Sequence, residues 1–349
     1  MLGYFCTYTP EEIIYAAGAL PVRILGSHEA QSVTEPHIFA MYCPLCRDCL
    51  AQGLQGRYDY LDGIVLAQCC LHMRQAFTSW KMHVPVKYSY YLYMPHGIQT
   101  PHARPYLRGE LEEFKKSLEE WTGKKITNKD LDHAIEVYNT NRRLMKQVYE
   151  LRKKPNPPLT GSEAMLMVVS SQLTDKEEHN RALKDLLEKL PQRRTGREAG
   201  TRLMILGSEN DDTEFMSMVE SLGATFVIED HCTGSRYFWN EVIPQKDRLS
   251  AIAARYIDRP ACPSKDWPER TRLPHIAKLA KDYNAQGVLL IQQKFCDPHE
   301  LDIPAIRSYL EKNGIPTYFL EFDVTVPAGQ FRTRVEAFLE TFQLPTDLF

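Results

Sequence analysis

Nine cysteines are the residues of this chain best suited to chemistry: Cys6, Cys43, Cys46, Cys49, Cys69, Cys70, Cys232, Cys262 and Cys296. An odd number in so long a chain does not suggest a disulfide framework, so they read as reduced thiols. Thiolates hold iron–sulfur clusters and zinc. Cys43, Cys46 and Cys49 form a C-x2-C-x2-C run like the start of a bacterial ferredoxin motif, but Gly53 stands where the next cysteine would fall. If 42–54 is a helix, the three sulfurs spread over a wide arc, so the run is expected to give one ligand and two structural cysteines. Zinc is the rival metal, because His72, His231 and His299 lie near the thiols; no paired C-x2-C with H-x3-H spacing accompanies them. Taken singly, a cysteine is more often a small core hydrophobe than a ligand, and a lone histidine more often a surface or hydrogen-bonded residue.

Two other stretches carry polar groups. Residues 207–212, with Ser208, follow a strand and precede a helix, so their amides are placed to receive an anion; their acids read equally as a capped turn. Residues 231–239 mix a thiol, hydroxyls, a cation and aromatics. Aromatic runs are usually core, yet Ser235, Arg236 and Tyr237 beside Gly234 would suit a pocket for an aromatic or acyl thioester.

The elements that must position these residues alternate. Short apolar runs at 3–5, 20–25, 61–67 and 84–88, and again at 202–206, 225–228, 288–291 and 317–320, read as strands separated by helices. Such alternation predicts parallel sheets with helices on both faces. Thr9 is the expected N-cap of the first helix, with Pro10 opening it and Glu11 and Glu12 favoured by the helix dipole. From about 104 to 190 the period becomes 3.6, broken at 154–158 and restarted by Thr160-Gly161-Ser162-Glu163 with capping-box spacing. Residues 191–197 read as an exposed linker. The expected architecture is α/β: two Rossmann-like parallel-sheet domains, 1–100 and 193–349, with a helical segment over 101–192. Chemistry in such sheets gathers at the carboxyl edge. There stand Cys6, Cys69-Cys70, Asp230-His231-Cys232, Cys296-Asp297 and Glu321-Phe322-Asp323.

Composition narrows the partners. With 349 residues, 43% hydrophobic and 25% charged, the chain can bury a sizeable core, and its net charge of -3 offers no basic field for nucleic acid. No apolar run approaches the roughly 20 residues of a membrane span, and the start lacks a signal-peptide pattern. The reading is a soluble, cytoplasmic protein.

Several motifs together resemble the 2-hydroxyacyl-CoA dehydratase and benzoyl-CoA reductase family, nearly end to end. They are the opening Gly3-Tyr4-Phe5-Cys6-Thr7-Tyr8-Thr9-Pro10-Glu11-Glu12, the Cys43-Pro44 pair, Cys70-Leu71-His72-Met73-Arg74, Pro157-Pro158-Leu159-Thr160-Gly161-Ser162-Glu163, Gln293-Lys294-Phe295-Cys296-Asp297-Pro298 and Gly329-Gln330-Phe331-Arg332-Thr333-Arg334. The resemblance implies an oxygen-sensitive catalytic subunit with a [4Fe–4S] cluster, a homologous partner subunit, a separate ATP-hydrolysing iron–sulfur activator and an acyl-CoA substrate. Carried over residue by residue, the cluster thiolates fall on Cys43, Cys70 and Cys296. The family usually has Cys-Asp at the second position, and Cys69-Cys70-Leu71 departs from it; the following His-Met-Arg favours Cys70. The chain also starts without the leading segment most members carry. Within the family, dehydratases remove water from 2-hydroxyacyl-CoA through a ketyl radical and reductases dearomatise benzoyl-CoA. The stretches at 230–239 and 295–300 look closer to the reductases, with a dehydratase subunit and a non-catalytic electron-transfer or scaffold subunit as the other readings. His72, His231 and His299 are the expected proton donors, and Ser208, Ser235, Arg236 and Tyr237 the expected substrate contacts.

Overall fold

Eight strands pair into two four-stranded sheets in a computed structural model that describes residues 1–323 and 328–342. Leu2–Tyr4 (β1), Pro21–Arg23 (β2), Gly63–Ala67 (β3) and Tyr88–Leu92 (β4) form the first, in the order β2-β1-β3-β4. Thr201–Gly207 (β5), Ala224–Asp230 (β6), Gly287–Gln293 (β7) and Thr317–Phe322 (β8) form the second, in the order β6-β5-β7-β8. Every pairing is parallel. The central strands β3 and β7 are buried along their whole length, as their uninterrupted apolar runs require of strands covered on both faces. The protein is thus α/β with two parallel-sheet domains of the same winding.

Helices Glu11–Ala16 (α1), Pro44–Leu54 (α2) and Leu71–His83 (α3) serve the first sheet. Ala103–Thr122 (α4), Asn128–Leu151 (α5), Gly161–Leu173 (α6) and Lys176–Lys189 (α7) follow as a helical run. Thr213–Glu220 (α8), the single turn Ser235–Phe238 (α9), Arg248–Asp258 (α10), Arg272–Asp282 (α11), Asp297–Lys312 (α12) and Ala328–Glu340 (α13) complete the chain. The capping box at Thr160 is formed: its hydroxyl accepts from the Glu163 amide at 3.1 Å, and the Glu163 carboxylate accepts from the Thr160 amide at 2.9 Å.

Three local expectations change. The fourth strand lies at Tyr88–Leu92 instead of 84–88, because Val84 still closes α3; Tyr88 then stacks on Trp121 of α4, and Tyr90 packs at a tilt against Phe114. Pro10, not Thr9, holds the cap position of α1, and the buried Thr9 hydroxyl has no hydrogen-bond partner. Glu11 and Glu12 are not surface carboxylates facing a dipole. Both are buried against the helical run: Glu12 pairs with Arg142 and accepts from Tyr256 Oη at 2.9 Å, while Glu11 accepts from Tyr4 and Tyr237 hydroxyls at 3.1 and 3.0 Å.

One helix crosses between the two halves. Leu249, Ile252 and Tyr256 of α10 share a core with Leu107, Leu111 and Phe114 of α4 and with β1 and β3, although α10 follows the second sheet's β6 in the chain. In each sheet the winding reverses between the first strand and the third, at β1/β3 and β5/β7. A crevice opens at the carboxyl ends of such strand pairs, where ligands bind in open α/β sheets.

Candidate metal centre

The thiols meet between these two crevices. Cys6 follows β1, and Cys69 and Cys70 follow β3, with Cys70 at the N-cap of α3. Cys43 caps α2, Cys296 caps α12 just past β7, Cys232 follows β6, and Cys262 lies beyond α10. Every cysteine except Cys49 lines one cavity, with about 620 Å³ of empty space including its mouth. Cys49 is buried elsewhere in the first domain's core, its sulfur 3.7 Å from the Ile24 carbonyl.

Local backbone explains the convergence. Gly207 ends β5 at φ +132°, and a Cβ there would sit 1.9 Å from the Ile291 carbonyl oxygen, so only glycine brings β5 this close to β7. The next residue, Ser208, donates its amide to that carbonyl at 3.0 Å, and its hydroxyl accepts from the Gln293 amide at 3.0 Å. Gln293 then reaches across: its side-chain oxygen accepts from the Leu45 amide at 2.9 Å, and its side-chain nitrogen donates to the Glu209 carbonyl at 2.8 Å. Phe295, at φ +61°, turns the chain into Cys296.

Cys296, Cys43, Cys46, Cys70, Cys69 and Cys6 follow one another, in that order, as thiols that each influence the next. Hydrogen bonds from Cys296 and Cys46 hold Cys43 well below the usual thiol value, and Cys46 and Cys69 do the same for Cys70. Cys46 was expected to be structural; it lies on the cavity because the residue three past the cap returns to nearly the same side of the helix. Cys262 lines the cavity too.

Two buried cations share the wall. Arg23 is 3% exposed and Arg236 2%, and the Nε and Nη1 atoms of each lack a hydrogen-bond partner. The nearest carboxylate to Arg236 is Asp230, 3.5 Å from Nε, and Asp230 is itself engaged by Arg272 at 2.9 Å.

Of the other residues singled out from the sequence, Ser208, Arg236 and His299 line the cavity. His72 flanks it: its Nδ1 accepts from the Cys43 amide at 3.0 Å and its Nε2 lies 3.4 Å from the Asp297 carboxylate. His231 does not line the cavity; it is fully buried, and burial, aided by Arg236, pushes its pKa down to about 3. His299 is held well below the usual histidine value, by burial first and by Arg236 and Arg272. Ser235 donates to the Glu229 carbonyl at 2.5 Å, and Tyr237 donates to Glu11, so neither opens onto the cavity. Arg23, Glu209 and Gln293 were missed; a strand residue in Pro21-Val22-Arg23 carries no sign of facing a site.

Among the described residues, no three His, Cys, Asp or Glu side chains close on a point in the manner of a single metal ion. The thiols surround a space instead. In an iron–sulfur cluster each thiolate meets its own iron, so sulfurs spaced around a cavity suit a cluster better than one zinc.

A family model described as 2-hydroxyglutaryl-CoA dehydratase, D-component, matches residues 6–342. The chain belongs to this family. Similar proteins include the (R)-phenyllactyl-CoA dehydratase beta subunit of Clostridium sporogenes, 27% identical over 97% of this chain and 91% of that protein. A benzoyl-CoA reductase subunit of Thauera aromatica is 28% identical over 95% of this chain and 87% of its own. The (R)-2-hydroxyglutaryl-CoA dehydratase beta subunit of Acidaminococcus fermentans is 25% identical over 97% and 92%. Membership of a family of dehydratase and reductase subunits supports an enzymatic role. No helix among the described residues is long and apolar enough to cross a membrane.

Proposed function

We propose that the chain is the iron–sulfur catalytic subunit of an anaerobic acyl-CoA enzyme, with Cys43, Cys70 and Cys296 as ligands of a [4Fe–4S] cluster. The observation that carries this reading is the cavity between the two sheet edges that eight of the thiols line, with Cys43 and Cys70 held toward the thiolate form. A cluster bound there would supply single electrons and a Lewis-acidic iron. The chain's own residues do the rest. Phe5, Leu45, Met73 and Pro298 keep the cavity apolar, and Ser208 and Arg236 offer a hydroxyl and a guanidinium to a polarised thioester carbonyl. His72 stands at the cavity edge as the candidate proton donor, since His231 and His299 are held neutral by burial.

ATP-dependent reductive dearomatisation of benzoyl-CoA is the specific reaction we favour. (R)-2-Hydroxyacyl-CoA dehydration is the alternative, because the relative from Clostridium sporogenes is as similar as the one from Thauera aromatica. The relatives' names are those of subunits, so a homologous catalytic chain and a separate ATP-hydrolysing activator belong to the proposal. Anaerobic turnover with both partners and ATP tests it. Consumption of benzoyl-CoA is the expected result, enoyl-CoA formed from a 2-hydroxyacyl-CoA would establish the alternative, and inactivity on both with an intact cluster would leave an electron-transfer subunit.

A further inference from the structure

Three histidines of the second domain gather around one buried carboxylate. His231 follows β6, directly after Asp230; His275 stands on the first turn of α11, and His299 on the first turn of α12. Asp230 feels Arg272, Arg236, His275 and His231, and His299 feels Asp230 and His231 in turn. The charge here is matched. Arg272 Nη1 lies 2.9 Å from Asp230 and donates to the Ala261 carbonyl at 2.9 Å, while its Nε lies 3.1 Å from Asp302. A cluster built only to hold α11 against β6 would need no more than that.

The imidazoles are not matched. Among the described residues, His275 Nε2, both ring nitrogens of His231 and His299 Nδ1 are buried with no hydrogen-bond partner. The Ser208 backbone influences His231 without meeting it in a hydrogen bond. Gln292, whose side-chain nitrogen donates to the Cys296 carbonyl at 3.3 Å beside the first turn of α12, buries its side-chain oxygen in the same condition. Leaving a buried polar atom without a hydrogen bond is costly, and ordered water is what serves such atoms. The orientation of the rings says what the water would join. His275 is only partly buried, and the nitrogen it hides is Nε2; His299 lines the cavity, and the nitrogen it hides is Nδ1. One ring thus reaches from the surface inward, the other from the interior to the cavity, and His231 and Asp230 lie fully buried among them.

We infer that His275, His231 and His299, joined by buried waters, form a proton path from the surface at α11 to the cavity. This rests on reading the cavity as a site of reduction, which consumes protons as well as electrons. Each proton taken from solvent at His275 is matched by one released on the cavity side of His299, and the rings end with the protons they began with. No ring has to change its resting charge, because a neutral imidazole accepts on one nitrogen and gives up a proton from the other. Burial above all holds His275 below the usual histidine value, so it too rests neutral. Asp230, flanked by Arg272 and Arg236, supplies the negative charge that steadies a ring carrying an extra proton in passing.

Exchange of imidazole N–H protons with water, measured by nuclear magnetic resonance on the full chain carrying isotope-labelled histidine, tests the path without reference to activity. His231 should exchange fast in the wild type despite its full burial, and about a hundredfold more slowly in His275→Phe. His133→Phe, at an exposed position of α5, should leave that rate unchanged. Slow exchange at His231 in the wild type would mean a dry cluster and overturn the path. Fast exchange that His275→Phe leaves unaltered would overturn it too, since protons would be entering elsewhere. In anaerobic turnover of benzoyl-CoA with the activator and ATP, His275→Phe should lower kcat by about the same factor with KM unchanged, raise the solvent isotope effect, and regain rate on addition of imidazole. Its iron content and circular dichroism should match the wild type. Unchanged turnover beside slowed exchange would overturn the supply of protons to the cavity. A chain that binds no iron would sink the cluster reading, while the exchange rates decide the path separately. Because the wild-type rate at His231 can overturn the path by itself, a variant that fails to fold does not shield it.

Discussion

Gln293 joins the two sheets with one amide group, and the placing of the proposed cluster ligands depends on that join. Its side-chain oxygen serves the Leu45 amide on the helix that starts at Cys43, and its side-chain nitrogen serves Glu209 beside the second sheet. Gln293→Ala leaves both buried groups unpaired, which costs about 1–3 kcal/mol. The expected outcome is a matching drop in stability by urea denaturation, together with lower iron retention after gel filtration. On the proposed assignment, Cys43→Ser, Cys70→Ser and Cys296→Ser should each remove most of the cluster's electron paramagnetic resonance signal, because three protein ligands would leave none to spare. Cys46→Ser should lose part of it, since that thiol supports both Cys43 and Cys70. At this scale the sequence showed the cysteines at strand ends because a thiol after an apolar run is conspicuous. It did not show that Cys46 faces the cavity, because a wide arc was assumed for the whole run: positions three apart on a helix differ by only about 60°, and only Cys49 swings away. Arg23 was illegible, because one cation in a three-residue strand looks like any solvent-facing residue.

Strand ends set the crevice, and Gly207 is where that depends on a single atom. Gly207→Ala would place a methyl group 1.9 Å from the Ile291 carbonyl oxygen at a φ of +132°, parting β5 from β7 just where Ser208 enters the cavity wall. A loss of about 3 kcal/mol is expected by denaturant unfolding, with iron binding impaired even in the folded fraction. Thr160→Ala, by contrast, removes one cap far from the thiols and should cost about 1 kcal/mol with iron content unchanged. Parallel strands were readable because strands buried on both faces keep an unbroken apolar run. The exceptions are instructive: Val84 and Val86 carry the β-branched signal, but Tyr88–Leu92 carries the pairing. The place of α10 was hidden for another reason. An amphipathic period shows that a helix has an apolar face, but not which core receives it.

Between the domains, charge is buried where helices α1, α5, α7, α9 and α10 meet. Lys176 is 2% exposed, donates to Tyr237 Oη at 2.7 Å, and sits 3.9 Å from Glu11, with Tyr138 and Arg142 facing it from α5. Burial pushes its pKa from 10.5 down to about 8, against the opposing pull of Glu11. Below pH 8 folded and unfolded chains both carry the proton, and the full cost of burying the charge stands. Between about 8 and 10.5 the unfolded chain binds more protons, so stability should rise with pH by up to about 3 kcal/mol. Urea unfolding of wild type and Lys176→Met across pH 7 to 10.5 checks this; the wild type should gain that amount of stability relative to the variant as pH rises. The same seam meets the thiol cavity through two adjacent residues of the single-turn helix α9. Arg236 lines the cavity, while the Tyr237 hydroxyl is held by Glu11 and Lys176. Neighbours on one turn share a backbone, so loosening either side chain's surroundings should disturb the other. Heating should therefore unseat the cavity's guanidinium and open the domain seam in one transition, so thermal bleaching of the absorbance of the proposed cluster and the loss of tyrosine packing should share a midpoint.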